Sequence, residues 1–523
     1  MNLASKFFAL LTAGDDRIAI REPNGSTISR GELRRQIIGL QHDLRSRGFK
    51  KGDAAVIQAP NGVAFAAATI AVSALGGVSI LAEPGLGDEI YSKRLAAAHP
   101  RWVLVHPVVL WANRIPGARR FLARRELMVP PVLSGPDIRQ VKISAQSLSK
   151  NAAARSDQPL TEAVSDRDDV VIIFTGGTTS LPKGVRLSHG AVGHSLANIE
   201  AMAAGAGSAM LADTPQQVLY GLVLGMEVLV SRGRMQRRAA MVRELFETGK
   251  ADAYFGSPFL WMEMMEQAGP ERSRLPDSLK TVFLGGAPVT PEFLRTLRGW
   301  LDPSTKVTTI YGLTEAGPVA TASDEEKMLW DGDGDLLGRL SPAMTASISE
   351  TGEISISGLG LFSGYIGQPE FAPGESFATG DLGRLIDRGG KPTLVLIGRV
   401  KDMIIRAAVN IYPATLESDL RGITNQAGDR MLREVALVGL WDAVKQDEEV
   451  VLCWQSIAGA EVDEGVLARK VHEVTGEDAK PDHMMRVDQI PVTGRLNKVD
   501  KAALRSLAAK RFGLSAAPRS QQQ

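Results

Sequence analysis

A single cysteine, Cys453, occurs in 523 residues, which excludes an internal disulfide framework and fits a reducing compartment. Charge of one sign is also lacking. Sixty lysines and arginines against 59 aspartates and glutamates leave a net charge of +1, so no overall field points to nucleic acid or to an anionic membrane. No apolar run approaches the roughly 20 residues that span a bilayer. Residues 7–11 form a short apolar patch near the N-terminus, but no basic region and cleavage pattern accompany it. These absences lead us to expect a cytoplasmic protein with no integral membrane segment and no nucleic-acid partner. No internal repeat is present.

What is present is an ordinary globular composition, 44% hydrophobic and 23% charged, over a length too great for one core. Ser29 and Glu32 form a capping box, and Leu33, Ile37, Leu40 and Leu44 recur at helical spacing, which predicts a helix over residues 30–47. A buried strand is predicted over 55–59, a helix over 64–75, then further apolar strands at 78–81, 102–105, 170–174 and 281–284. Such alternation argues for a parallel sheet covered on both faces. Residues 144–167 are polar and rich in Ala and Ser, and read as a loop. From about residue 398 the texture changes to a compact α+β module. It has strands at 434–440 and 449–455 and helices at 413–419 and 464–474. The expected domains are 1–398 and 399–512, with a disordered tail at 513–523.

The most informative stretch follows the strand at 170–174: Thr175-Gly176-Gly177-Thr178-Thr179-Ser180, then Pro182-Lys183-Gly184. Glycines let the backbone approach an anion, hydroxyls donate to phosphate oxygens, and Lys183 adds a positive charge. It is not a Walker A loop, in which the lysine precedes Ser or Thr; here Lys183 precedes Gly184.

That loop resembles the signature of the adenylate-forming superfamily of acyl-CoA synthetases, peptide-synthetase adenylation domains and luciferases, and the likeness runs in order over residues 24–507. Leu284-Gly285-Gly286-Ala287-Pro288 is similar to the segment lining the adenine pocket. Tyr311-Gly312-Leu313-Thr314-Glu315 is similar to the aromatic-Gly-x-Thr-Glu motif. The resemblance implies that Tyr311 stacks on adenine, Thr314 meets the α-phosphate and Glu315 holds Mg²⁺. Thr379-Gly380-Asp381 resembles the motif whose aspartate binds the ribose. Residues 398–402 resemble the interdomain hinge, with Arg399 near the ribose and Lys401 at the pivot. Lys498, before Val499-Asp500, matches the catalytic lysine, with Arg495 as its rival. That motif carries one extra residue here, and Asn497 stands where glycine is usual. The implied fold is α/β: a large N-terminal domain of stacked α/β subdomains plus a small mobile α+β C-terminal domain.

By the same resemblance, ATP and Mg²⁺ are the cofactors and the substrate is a small carboxylic acid, fatty or otherwise apolar. It becomes acyl-AMP and passes to a thiol, either CoA or the phosphopantetheine of an acyl carrier protein. Residues 214–221 resemble the acyl-pocket segment, so Val218, Tyr220, Gly256 and Gly285 are expected to line the acid pocket. Departures in three places bear on the acceptor. In the phosphate loop Ser180 replaces a usual glycine; in residues 404–413, which resemble the loop that meets the acceptor thiol, Ile405 replaces a common lysine and Ala408 replaces a glycine; and Val218 stands where thioester-forming members often have a histidine. Residues 80–87 and 255–258 are similar to enzymes that make β-lactones from β-hydroxy acids, where the substrate's own hydroxyl displaces AMP. A catalytically silent nucleotide-binding protein is the remaining alternative. Asp331, Asp333 and Asp335 imitate a calcium loop but lack its glycine and terminal glutamate. Arg114, Arg119, Arg120, Arg124 and Arg125, near Trp111 and Phe121, read as a solvated helix face, with docking of an acidic carrier protein or a membrane surface as the alternative. Nothing in the sequence bears on oligomeric state.

Overall fold

A computed structural model describes residues 2–82, 88–123, 129–153, 158–174, 183–233, 235–269, 273–372, 374–407, 409–425, 427–457, 460, 462–493 and 498–516. Among the described residues two large sheets dominate, one of seven strands and one of thirteen. In the first, Val78–Leu81 lies parallel between Ala54–Gln58 and Asp169–Phe174. Gly184–Ser188 then runs antiparallel to Asp169–Phe174, with Phe174 opposite Gly184. The glycine-rich connection between these two strands, residues 175–182, lies outside the described residues. Its base is nevertheless fixed by this pairing.

The helix Arg30–Ser46 starts where its cap predicts: the Ser29 hydroxyl accepts from the Glu32 N–H at 3.2 Å. Leu33, Ile37, Leu40 and Leu44 are fully buried on one face. Val63–Ala74 and the strands at 78–81, 102–105, 169–174 and 281–285 agree with the sequence patterns to within a residue.

The stretch at 144–167 departs from the loop expected of it. Ala145–Ala153 is a helix. Ser144 Oγ accepts from the Ser147 N–H at 3.0 Å, and Leu148 is buried. The helix packs on Arg30–Ser46 at Gly39, where a Cβ would come within 2.6 Å of the backbone of Ala152. A serine cap, one buried leucine and this docking hold a helix whose apolar periodicity is too sparse to read. The tail also needs correction at its start. Ser515 bridges Trp441, and Leu514 packs against the small module's core; only residues 517–523 fall outside the described set.

In the thirteen-stranded sheet, Ala209–Ala212, Ala253–Gly256, Thr281–Gly285 and Lys306–Leu313 run parallel in that order. The chain then doubles back into Gly317–Ser323. Parallel strands gather their C-terminal ends at one edge, the usual place for a ligand in open α/β sheets. Beyond residue 402 the small module is built on a long hairpin, Leu432–Asp442 with Asp447–Ser456, to which His483–Arg486 adds in parallel. One face is covered by helices Pro413–Arg421 and Glu464–Thr475. The other packs on Lys501–Phe512, and here Cys453 lies fully buried. Burial pushes its thiol up to about 12, so it is an inert core residue. Among the described residues no helix is long and apolar enough to cross a membrane, and no group of three metal-ligating side chains occurs.

Candidate functional site

A cleft of about 2000 Å³ runs along the strand ends and reaches the small module. Gly256, Gly285 and Gly286 line it where parallel strands end, and Gly312, Thr314 and Glu315 line it at the turn between Lys306–Leu313 and Gly317–Ser323. Lys183, Arg399, Lys401 and Lys498 add four cations from three parts of the chain.

Asp381 organises the adjoining wall. It is 1% exposed, and antiparallel register sets it opposite Arg399. Arg399 Nε forms an ion pair with Asp381 Oδ1 at 2.7 Å, and the Tyr311 hydroxyl donates to Oδ2 at 2.7 Å. Oδ1 has no well-aligned hydrogen bond, so it retains acceptor capacity. The local turn explains how the carboxylate is aimed: Gly380 sits at φ +74°, its N–H donates to Glu353, and the Thr379 hydroxyl accepts from the Asp381 N–H. Burial first, then the neighbouring carboxylate, push the Tyr311 phenol well above its ordinary value.

Glu315 holds a second cluster. Tyr365 donates its hydroxyl to Glu315 Oε1 at 2.9 Å, and the Lys183 ammonium lies 5.4 Å from the Tyr365 ring centroid. Tyr365 belongs to the two-residue strand Gly364–Tyr365, which pairs with Gly184–Ser188. One phenol therefore links the lysine after the glycine-rich connection to the carboxylate 50 residues earlier than itself. Burial and the Glu315 charge both raise its pKa, so it stays a donor.

Lys498 arrives from the small module. Lys498–Val499 pairs with Val492–Thr493, and Asp500 caps the helix Lys501–Phe512 by accepting from the Ala503 N–H at 2.9 Å. The ammonium stands at the surface of the cleft. Desolvation by the surrounding protein lowers its pKa first, Arg399 and Lys401 lower it further, and Asp381 and Glu315 act in the opposite sense. Lys498 is thus within electrostatic reach of both carboxylates. The segment Val400–Asp402 is tied to the small module through Arg505, which donates to the Lys401 carbonyl at 3.1 Å and pairs with Asp402.

Several expected site residues lie elsewhere. Thr175, Gly176, Gly177, Thr178 and Thr179 fall outside the described residues, as do Arg495 and Ala408. Ala287 and Pro288 follow the strand end but do not line the cleft. Val218 is fully buried in the core; on its helix, Pro215–Val223, the flanking Gln217, Leu219 and Tyr220 face the cleft instead. Tyr220, Phe255 and Gly256 also line the cleft. Tyr220 and Phe255 meet edge to face at 5.1 Å, and a Cβ on Gly256 would come within 2.1 Å of the Tyr254 hydroxyl. Tyr365 and Arg505 were not singled out from sequence. Each acts through a partner distant in the chain, which no local pattern encodes.

The sequence pattern of the family described as "AMP-binding enzyme" matches residues 10–366. The mitochondrial medium-chain acyl-CoA ligase ACSF2 of Mus musculus is 24% identical over 481 residues, 81% of this chain and 74% of that protein. ATP-bound MatB from Rhodopseudomonas palustris superposes with a TM-score of 0.77 at 20% identity, covering 98% of this chain and 99% of the other. The amide bond synthetase McbA from Marinactinospora thermotolerans gives 0.77 at 23% identity, covering 97% and 99%.

Proposed function

The chain belongs to the AMP-binding enzyme family, and from that premise we propose that it joins an apolar carboxylic acid to AMP at the expense of ATP and transfers the acyl group to a thiol. The observation that carries this reading is the convergence of Lys498, Glu315 and Arg399 on one cleft, with Asp381, bonded to both Arg399 and Tyr311, directly behind its wall. A carboxylate attacking a phosphate is an anion approaching an anion, so cations and fixed donors must offset the repulsion. Lys498 and Lys183, which both line the cleft, would neutralise charge on the phosphate under attack. Asp381 Oδ1, a buried acceptor with spare capacity, suits a ribose hydroxyl, and Arg399 keeps it ionised. Tyr311, fixed through its hydroxyl, presents a ring face suited to adenine. Thr314 supplies a hydroxyl beside Glu315. Mg²⁺ fits a site of one carboxylate completed by water and phosphate oxygens, and Glu315 would hold it there, where it would offset phosphate charge.

Boundaries at 1–398 and 399–512, with the pivot at Lys401, account for a catalytic lysine reaching the cleft from the small module. A second reading has the acid's own hydroxyl displacing AMP. It is favoured by Ala407, which sits at φ +49° with its N–H donating to Asp447, in the segment that the resemblance assigns to the incoming thiol. A side chain there narrows the approach and holds backbone strain that glycine would relieve.

Pyrophosphate release across a panel of acids, with and without CoA and with products weighed by mass spectrometry, tests both readings. Acyl-CoA is expected. A product lighter by water from β-hydroxy acids, without thioester, would replace the thiol acceptor by the internal hydroxyl. No acid-dependent pyrophosphate release would overturn adenylation. Tyr365→Phe should raise the Mg²⁺ concentration giving half-maximal rate about 5-fold, the worth of one lost hydrogen bond. A magnesium titration of initial rate measures it.

A further inference from the structure

The chain is charge-balanced overall but not locally. On the helix Pro107–Arg114 and its C-cap, Val108, Trp111 and Ile115 recur on one face and are 49%, 48% and 44% exposed, while Val109 and Ala112 on the other face are buried. The adjoining helix Ala118–Ala123 exposes Phe121 at 52%. Large apolar side chains clustered on a surface are unusual in a protein that meets only water.

Arginines are interleaved with them. Arg114 and Arg120 are exposed, and neither forms an ion pair among the described residues. Arg119 is satisfied by Asp88 and by the Val129 carbonyl at 3.0 Å. The acidic side chains on the neighbouring helix Asp88–Ala97 are already engaged, Asp88 by Arg119 and Glu89 by Lys93. Among the described residues of these helices, the charged or large side chains left outside without an ion-pair partner are apolar or positive.

The patch is continuous with the cleft. Val108 is half-exposed and also lines the cleft, and Val109, Leu122 and Val129 continue that wall inward. We propose that the face formed by residues 107–122 docks on an anionic bilayer, so that an apolar acid dissolved in the membrane passes along Val108 and Leu122 into the cleft. A tryptophan with flanking aliphatic groups suits the headgroup boundary, and arginines beside it meet lipid phosphates while their stems stay in apolar contact. An acidic carrier protein would satisfy the arginines but leave the exposed Trp111 and Ile115 without an apolar partner, so the bilayer is the better match. The delivery step rests on the proposed activation of an apolar acid; the docking does not.

The test is co-sedimentation of the full chain with vesicles of phosphatidylcholine alone or mixed with phosphatidylglycerol, without nucleotide. Binding is expected only to the mixed vesicles. Arg114→Gln with Arg120→Gln should weaken it about 30-fold, at roughly 5-fold per charge. Trp111→Ser with Ile115→Ser should weaken it on the order of 100-fold. Both variants should keep the parent melting temperature and the parent rate with a short water-soluble acid, because none of the four side chains lines the cleft. Equal binding to neutral vesicles, no binding, or unchanged binding by both variants overturns the proposal. So does a concentration-dependent dimer abolished by Trp111→Ser, or saturable binding of a purified acidic carrier protein that competes with vesicles. If docking behaves as expected but no acid drives pyrophosphate release, the reaction is wrong and the docking surface stands.

Discussion

Lys498→Ala is expected to lower acid-dependent pyrophosphate release by about 100- to 1000-fold, the loss that follows removal of one preorganised charge from a phosphoryl or acyl transition state. The fold should hardly change. The side chain stands at the cleft surface, where truncation falls within about 0.5 kcal/mol, and the capping carboxylate of Asp500 is untouched. Melting temperature and activity should therefore separate. A partial reaction sharpens the test: supplied acyl-adenylate should still be consumed by the acceptor, because Lys498 is assigned to the first step only. The pH profile follows from the same surroundings. Desolvation and the charges of Arg399 and Lys401 lower the Lys498 pKa. The protonated, active form is present below that pKa and is lost as pH rises through it, so the alkaline limb should fall earlier than for an unperturbed lysine. An unchanged rate for Lys498→Ala would remove the residue from the mechanism and leave the outlying Arg495 as the alternative.

Asp381→Ala should be the second large effect, and unlike the first it should cost both function and stability. Asp381 is nearly inaccessible, and its removal leaves the Tyr311 hydroxyl and the Arg399 guanidinium without their shared acceptor. A buried donor left unsatisfied costs about 1–3 kcal/mol. Arg399 keeps 42% of its side chain in solvent, so its share is small. Nucleotide affinity should fall about 100-fold, since the lost contacts to ribose are charge-assisted and Tyr311 loses its anchor. Calorimetric titration of AMP, with a thermal melt alongside, reads both effects. Tyr311→Phe supplies the contrast: the ring face remains and only the hydroxyl is removed, so affinity should fall far less. Equal losses in both variants would mean that the phenol, not the carboxylate, carries recognition.

The parts of this site legible in sequence are those whose chemistry is local. Tyr311 to Glu315 lie on one strand end and its turn, and Thr379 to Asp381 share one bend, so each is a contiguous motif that the family resemblance could single out. The helix Arg30–Ser46 was legible for a similar reason, since its cap and apolar face are written within one stretch. The helix Ala145–Ala153 was not. Its stability comes from docking at Gly39, more than a hundred residues earlier, and a mostly polar nine-residue stretch carries no signal of that. Val218 shows the converse. Its segment lines the cleft, but which residues of it face that cleft depends on helix rotation against the core.

The sequence by itself determined the fold class, the order of the motifs and the nature of the charged groups, because strand and helix periods and short glycine- and hydroxyl-rich turns are properties of adjacent residues. Only the tertiary structure decided that Tyr365 hydrogen-bonds to Glu315, that Asp381 pairs with Arg399 across a strand register, and that Lys498 lines the same cleft as Glu315. It also decided that an exposed apolar and basic helix face runs into the wall of the cleft. Those facts depend on the packing of segments far apart in the chain, and short-range pattern carries no information about such distances.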